Sequence, residues 1–395
     1  MVKSLKALIL GVGAQGSVIA SELVKDPEVT EVKLADIDLE RAKRLAARLK
    51  SKKVHTYRVD ASNVDDVANV GRGVDVIVNA TTYSHKFNIN VMEAALKCGT
   101  NYQDLASDSL AQLELSNRWK KARLTALINT GASPGITNVL AAHAADRLDR
   151  VEEIRVRLAG KAVKEPKEYI PTWSPETAWA DMASESMVYE DGEYKAVPPF
   201  GGEEVYTFPS PIGPQTVYGH EHEEPGTLPR FIGKGVKYVD FKMGGPDFPL
   251  AKTIVELGLM NDNLIDVKDV KVVPRDVFFA LLPPTLPLEE MESKNKTGLL
   301  GESAWCILVE VKGKNAGKKL TYTLYVVIRQ APDAPLIHIT GISAAIFTKM
   351  LGKGKIETKG VIAPEALEPE VRQAFLAELA RYGIVFTERV EKRLA

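Results

Sequence analysis

The segment ILGVGAQG, residues 9–16, places glycines at 11, 13 and 16, directly after an apolar run and ahead of an amphipathic one. Between a strand and a helix, the spacing G-x-G-x-x-G binds phosphate without using side chains. Gly11 lets the chain turn sharply off the strand. Gly13 lets the backbone approach a pyrophosphate, and Gly16 lets the helix sit close to the sheet. Ala14 and Gln15 open that helix, whose N-terminal amides and positive dipole then face the phosphates. Asp36 ends the next strand-like run, VKLADID, twenty positions after Gly16. A carboxylate there bonds ribose hydroxyls and repels a 2′-phosphate, so the expected cofactor is NAD in preference to NADP. Arg41, Lys43 and Arg44 follow closely and offer the charge to neutralise a phosphate, or else form a solvated helix face.

Ligands of an open parallel sheet sit beyond the carboxyl ends of its strands. Asp60 and Ala61 end the third strand-like run and are expected to flank adenine. Asn79, Ala80 and Thr81 end the fourth and are expected along the pyrophosphate and nicotinamide ribose. Asp104 ends the fifth, where a carboxylate is either a turn cap or a catalytic group beside the nicotinamide. The loop GASPG, with Pro134, precedes another helix and exposes backbone amides to the same crevice.

These positions need a particular scaffold. Short apolar runs (KALIL, VKLA, VHTYRVD, VDVIVNAT, TNYQDLA, TALINTG) alternate with helical segments, among them LERAKRLAARL and NINVMEAALKCG. That rhythm through about residue 131 predicts an α/β fold: a Rossmann doubly wound parallel sheet covered on both faces. Longer strand candidates follow, VEEIRVRLAG, LIDVKDVKVV and AWCILVEVKG, with a hairpin expected to turn near Asn315 and Gly317. The Pro- and Gly-rich stretch 198–249 reads as a lid or a set of loops. Helical periodicity returns after Gly341. The division is a dinucleotide-binding domain over 1–135, a mixed α/β substrate and dimerisation domain over 136–340, and C-terminal helices over 341–395 packing back on the first domain.

The chain has 395 residues and a net charge of −1, which favours neither nucleic acid nor an anionic membrane as partner. Two cysteines, Cys98 and Cys306, read as small core residues and not as a disulfide or metal framework. MVKSLKALIL lacks the apolar segment of a signal peptide, and no run approaches a membrane span, so a cytoplasmic protein is expected.

As an ordered set, ILGVGAQG, LADID, VIVNATT, YQDLA, GASPGITNVLA, VKVVPRDV and KGVIAPE resemble the saccharopine dehydrogenase group, within it the lysine 6-dehydrogenase-like chains. The resemblance covers nearly the whole sequence. It implies an oxidoreductase acting on a carbon–nitrogen bond, a second domain that forms lid and dimer contacts, a C-terminal segment returning to the first domain, and no metal. Asp104 matches the group's acidic position after the fifth strand, as a base for the substrate ammonium or a stabiliser of the iminium. His220, in HEHEEPGTLPR, matches a histidine that the group carries before Gly and Thr. Here Glu223, Glu224 and Pro225 intervene, and the added carboxylates suit a second ammonium. Glu224, Thr227 and Arg230 are the expected substrate contacts, Arg230 for bidentate grip of a carboxylate. Arg275 is expected in a structural ion pair with Asp276 or a neighbour.

The expected activity is an NAD-dependent amino-acid dehydrogenase, with lysine oxidised at its ε-amine first and saccharopine-type chemistry next. A polyamine substrate, as in the carboxynorspermidine branch, follows and is favoured by the acidic loop. A homospermidine-type transferase and a non-catalytic NAD-binding protein are the rival classes.

Overall fold

The computed structural model describes residues 4–81, 87–167, 170–171, 174–334 and 336–392. Thr82, the last residue of VIVNATT, lies outside them.

The first layer is built from β1 (Leu5–Leu10), α1 (Ala14–Lys25), β2 (Val29–Asp36), α2 (Leu39–Leu49), β3 (Val54–Arg58), α3 (Val64–Gly71), β4 (Val76–Asn79), α4 (Asn88–Cys98), β5 (Asn101–Asp104), α5 (Ser109–Glu114), α6 (Ser116–Lys121) and β6 (Thr125–Leu127). Successive side chains of a strand point to opposite faces. On β1, Leu5, Ala7 and Ile9 enter one core, while Leu8 and Leu10 enter the core on the other side. Both faces are covered, so the runs read as continuously apolar. The helical face Leu39, Ala42, Leu45, Ala46, Leu49 packs inward through Ala42 and Leu45.

After α7 (Ile136–Ala145) the chain builds the second layer. Its elements are β7 (Arg150–Lys164), α8 (Pro175–Ala183), β8 (Ser186–Glu190), β9 (Glu193–Val197), β10 (Glu204–Thr207), β11 (Pro214–Gly219), α9 (Glu224–Ile232), β12 (Tyr238–Gly244), α10 (Phe248–Glu256), β13 (Ile265–Val267), β14 (Val270–Val272), α11 (Pro274–Leu281), α12 (Leu288–Lys296), β15 (Glu302–Asn315) and β16 (Lys318–Gln330). The return comprises α13 (Ile339–Gly352), β17 (Gly360–Ile362), α14 (Pro369–Arg381) and β18 (Thr387–Lys392).

The first sheet is parallel, in the order β17-β6-β5-β4-β1-β2-β3. The order reverses between β1 and β4, which opens a crevice at their carboxyl ends. The second sheet is mixed, β10-β11-β12-β7-β15-β16-β18, with β8 and β9 attached through β12. The β15–β16 hairpin turns at Ala316 and Gly317, both at positive φ, as the expected turn requires.

Three local expectations differ from the structure. The stretch 198–249 is not a set of loops: it supplies β10, β11, α9 and β12, and β12 is an interior strand parallel to β7. LIDVKDVKVV forms the small hairpin β13–β14, off the main sheet. The C-terminal segment does return, with β17 pairing β6, but β18 then crosses to the second sheet and pairs β16. The two layers share one core. Val139, Leu140 and Ala144 of α7 join Val78 of the first sheet to Val151, Ile154 and Val309 of the second.

Candidate active site

The glycine turn has the geometry its spacing demands. Gly11 sits at φ +88°, and a Cβ there would lie 2.6 Å from the Ala80 carbonyl oxygen. A Cβ on Gly16 would lie 2.0 Å from the Gly11 carbonyl oxygen. A Cβ on Gly13 would meet nothing within 4 Å. The tight positions therefore serve the fold, and the open one faces space that a ligand can enter. Gly13 is the N-cap of α1, with no side chain to occupy the first amides. Gln15 leaves its side-chain oxygen buried without a partner. Asp36 is 6% exposed; its carboxylate accepts from the Val12 N–H at 2.9 Å and the Asp38 N–H at 2.9 Å, and so braces the turn. Arg41 lies 3.9 Å from it. Asp60 accepts from Ser62 at a strand end, with Ala61 beside it.

The crevice floor is a closed polar network. Asp104 is fully buried; it accepts from Gln112 (2.6 Å), Tyr102 (2.9 Å), Asn88 (3.0 Å) and the Asn129 N–H (2.9 Å). Burial raises its carboxyl above the usual range against those four donors. The carboxylate expected beside the nicotinamide is thus enclosed by four donors in the crevice floor. Asn79 also turns inward, donating to Asn88 and accepting from Thr81, so the crevice receives the Ala80–Thr81 backbone and not the Asn79 side chain.

The reactive groups gather above that floor, where α9 begins. His220 is 4% exposed, and its Nδ1 lies 3.0 Å from the Glu221 carbonyl. A carbonyl can only accept, so Nδ1 carries the proton and Nε2 is left as an acceptor. Burial and the neighbouring His222 charge push the His220 ring down to about 4, so it is neutral. His222 stacks on Phe241, ring centroids 3.6 Å apart, and donates from Nδ1 to Glu224 at 2.7 Å. Burial opposes its charge, but Glu224, Glu223 and Asp181 hold it up at about 9. Glu224 accepts also from the hydroxyls of Ser133 (2.6 Å) and Thr137 (2.7 Å). Burial pushes its carboxyl up; the His222 charge and these donors outweigh that and hold it below the usual range.

Two further acids have no such support. Burial, with Glu224 and Asp181 nearby, raises Glu223 to about 8. Burial and Glu221 raise Asp181, on α8, to about 7. His222 is the positive charge that lowers both. His222, Glu223 and Glu224 bring ligand atoms within 4.8 Å of one another. Glu224 already accepts from Ser133 and Thr137 through one oxygen and from His222 through the other.

The remaining expected contacts divide. Glu224 and Thr227 are fully buried and act through neighbours: Thr227 accepts from Asn138 at 3.3 Å. Asn138 in turn donates to Glu365 at 3.0 Å. Arg230 is exposed near the end of α9, close enough to Tyr194 for its charge to be felt there. Pro134 lies in the loop whose Ser133 grips Glu224. Arg275 pairs with Asp262 at 3.6 Å and not with Asp276. Sequence reasoning missed Asp181, Thr137, Asn138 and Glu365. Glu365 lies in the quoted KGVIAPE, whereas nothing in the local sequence of α8 marks Asp181.

A strand-order reversal over a glycine turn, beside a buried acid–imidazole cluster, defines a nicotinamide dinucleotide-dependent dehydrogenase. The chain belongs to the saccharopine dehydrogenase family: residues 7–127 match the model of the saccharopine dehydrogenase NADP binding domain, and residues 131–384 that of its C-terminal domain. It is 26% identical over 406 residues to a carboxyaminopropylagmatine dehydrogenase of Synechocystis sp., covering 98% of each. It is also 26% identical over 411 residues to a carboxynorspermidine synthase of Vibrio cholerae, covering 95% of each. The fold matches saccharopine dehydrogenase (L-Glu forming) of Saccharomyces cerevisiae, with a TM-score of 0.73 at 18% identity over 98% of this chain and 100% of that one. Among the described residues no helix is long and apolar enough to cross a membrane.

Proposed function

We propose that this dehydrogenase acts on the carbon–nitrogen bond of a polyamine-type substrate bearing a carboxylate, with NAD as the preferred cofactor. The observation that carries the reading is the pair Glu223 and Asp181: two neighbouring carboxyls beside the His222–Glu224 pair, each raised by burial and by acidic neighbours, with His222 the positive charge that acts on both. A substrate with a second ammonium supplies the missing charge. The names of the full-length relatives support the same class.

The amides of Ala14, Gln15 and Gly16 hold the pyrophosphate over Gly13. Asp36 takes the adenosine ribose, Asp60 and Ala61 flank the adenine, and the Ala80–Thr81 backbone and Pro134 border the nicotinamide end. The nicotinamide, when bound, exchanges a hydride with the carbon bearing nitrogen. His220 Nε2 takes the proton of the reacting ammonium, and its neutral ring is ready for this throughout the neutral range. His222, fixed by Glu224 and Phe241, presents its remaining N–H as a donor. Arg230 meets the distal carboxylate. Asp104 keeps the floor rigid beneath them.

The test is turnover with NAD or NADP, followed by NADH absorbance. The panel comprises carboxynorspermidine- and carboxyaminopropylagmatine-type amines, lysine and saccharopine. Preference for the polyamine class is expected, with Glu223→Gln raising KM for it about tenfold, a change of about 1.4 kcal/mol. Since Glu223 and Asp181 must ionise to grip an ammonium, binding should release protons near pH 7 and tighten as pH rises through about 8. Calorimetry in two buffers of different ionisation enthalpy reads that release directly. Equal turnover of lysine by the wild type and Glu223→Gln would remove the polyamine reading.

A further inference from the structure

The C-terminal return does more than supply β17. Three residues beyond that strand, the single 3₁₀ turn Pro364–Ala366 sets Glu365 against both α7 and α9. Glu365 is 3% exposed. Its Oε2 accepts from Asn138 Nδ2 at 3.0 Å, and its carboxyl is also bonded by the Thr227 hydroxyl. Among the described residues its buried Oε1 meets no hydrogen-bond partner. Burial raises the carboxyl to about 7, against those two donors and with the Glu224 charge adding to the rise. A buried carboxyl short of partners destabilises a fold, and an apolar side chain would avoid that cost. Such costs persist where a site needs them.

Both donors stand beside the acid–imidazole cluster. Asn138 is the third residue of α7 and follows Thr137, whose hydroxyl grips Glu224 at 2.7 Å. Thr227 is the fourth residue of α9, the helix that Glu224 opens. Asn138 also donates to Thr227 at 3.3 Å, and its Oδ1 accepts from the Gly135 N–H at 2.8 Å. Glu365, Asn138 and Thr227 thus close a triangle that fixes the first turn of α7 to the first turn of α9. Thr137 and Glu224 meet across the same joint. A shift of the joint would draw the Glu224 carboxylate off the Ser133 and Thr137 hydroxyls and turn its charge away from His222 Nδ1.

We propose that Glu365 is a positioning residue: it locks α7 to α9 so that Glu224 holds the His222 ring in one orientation. The proposal rests on the reading that this cluster is the active site, and Glu365 acts there through Glu224. The charged groups around Glu365 are Glu224 on α9 and Arg372 on α14, which donates to the Glu365 backbone carbonyl at 3.2 Å and pairs with Asp146 at the end of α7. His222 faces Glu224, Glu223 and Asp181 of α8, with the His220 ring beside it.

The test reads His222 in the free, full-length protein by nitrogen-15 histidine NMR. The chain has six histidines, and His222 is assigned by the signal lost in His222→Gln. The wild-type ring should titrate at about 9. Glu365→Met should lower that midpoint by about one pH unit, tenfold in proton affinity. Glu365→Gln, which still accepts from Asn138 and Thr227, should restore it. Far-ultraviolet circular dichroism and NAD affinity should match the wild type in both. Thr227→Val keeps the shape and cuts one tie, so it should move the midpoint the same way by a smaller step, and it reads the joint even if Glu365→Met does not fold. A midpoint unmoved in Thr227→Val or in folded Glu365→Met, or lowered as far by Glu365→Gln, would overturn the proposal. The substrate reading fails separately: midpoints as expected without polyamine turnover would remove that reading and leave this one.

Discussion

Glu224 and His222 form a buried ion pair, and breaking such a pair by removing one partner leaves the other charge uncompensated. Glu224→Gln should lower unfolding free energy at pH 6 by about 3 kcal/mol. The sign with pH follows from both partners. His222 is raised from 6.5 to about 9, so its contribution is complete below about pH 6.5 and is lost as pH rises through about 9. Glu224 is lowered from 4.5, so its contribution is complete above that value and lost in acid. Denaturant melts should therefore show the gap between wild type and variant widest near pH 5–6 and narrowed at pH 10. At this scale the sequence exposed the glycines, Asp36 and the HEHEE run by type and spacing alone. It did not expose which carboxylates would be consumed internally. Glu224 and Asp104 look equally available as letters. The donors that saturate them come from Ser133 and Thr137 in one case, and from Gln112, Tyr102, Asn88 and the Asn129 backbone in the other, and no local pattern announces those meetings.

At the scale of elements, the strand–turn–helix unit makes a paired prediction. Gly16→Ala puts a methyl 2.0 Å from a backbone oxygen and should destabilise the chain sharply, measured by thermal melt. Gly13→Ala meets open space, so the melting temperature of the unliganded protein should hold while NAD affinity falls at least tenfold by titration. A fall in both, or in neither, would remove the dinucleotide from this turn. The elements of the first sheet were legible because both faces are buried and their runs are unbroken. β12 was not. It places Asp240 at 1% exposure between Val239 and Phe241, paired with the fully buried Arg157 at 2.7 Å. A charge inside a central strand hides the apolar signal, and only its partner on β7 makes the placement tolerable.

At the scale of the whole molecule, the first sheet is completed from far away. β17 pairs β6, the Ile128 N–H reaches the Ile362 carbonyl, and the Gln103 side chain donates to Ala344 of α13 at 2.8 Å. A fragment of residues 1–135 lacks all three and bares both the β6 edge and the apolar side of α1 that α13 covers. Expressed alone, it should aggregate or stay unfolded by circular dichroism, whereas adding residues 339–366 as a second chain should recover folded, NAD-binding material. The sequence did show that helices return after Gly341. It did not show that the last strand would leave again for the other sheet, because TERVEK is exposed along its whole length and carries no apolar face to assign.

The interleaving has a consequence during synthesis. When Leu127 leaves the ribosome, the nucleotide-binding layer is one strand short, and its missing edge is encoded more than two hundred residues downstream. The intervening chain must emerge, and largely find its own shape, before that edge can be delivered. A polypeptide stalled before Gly360 is therefore expected to carry an incomplete first sheet and to bind cofactor more weakly than the full chain.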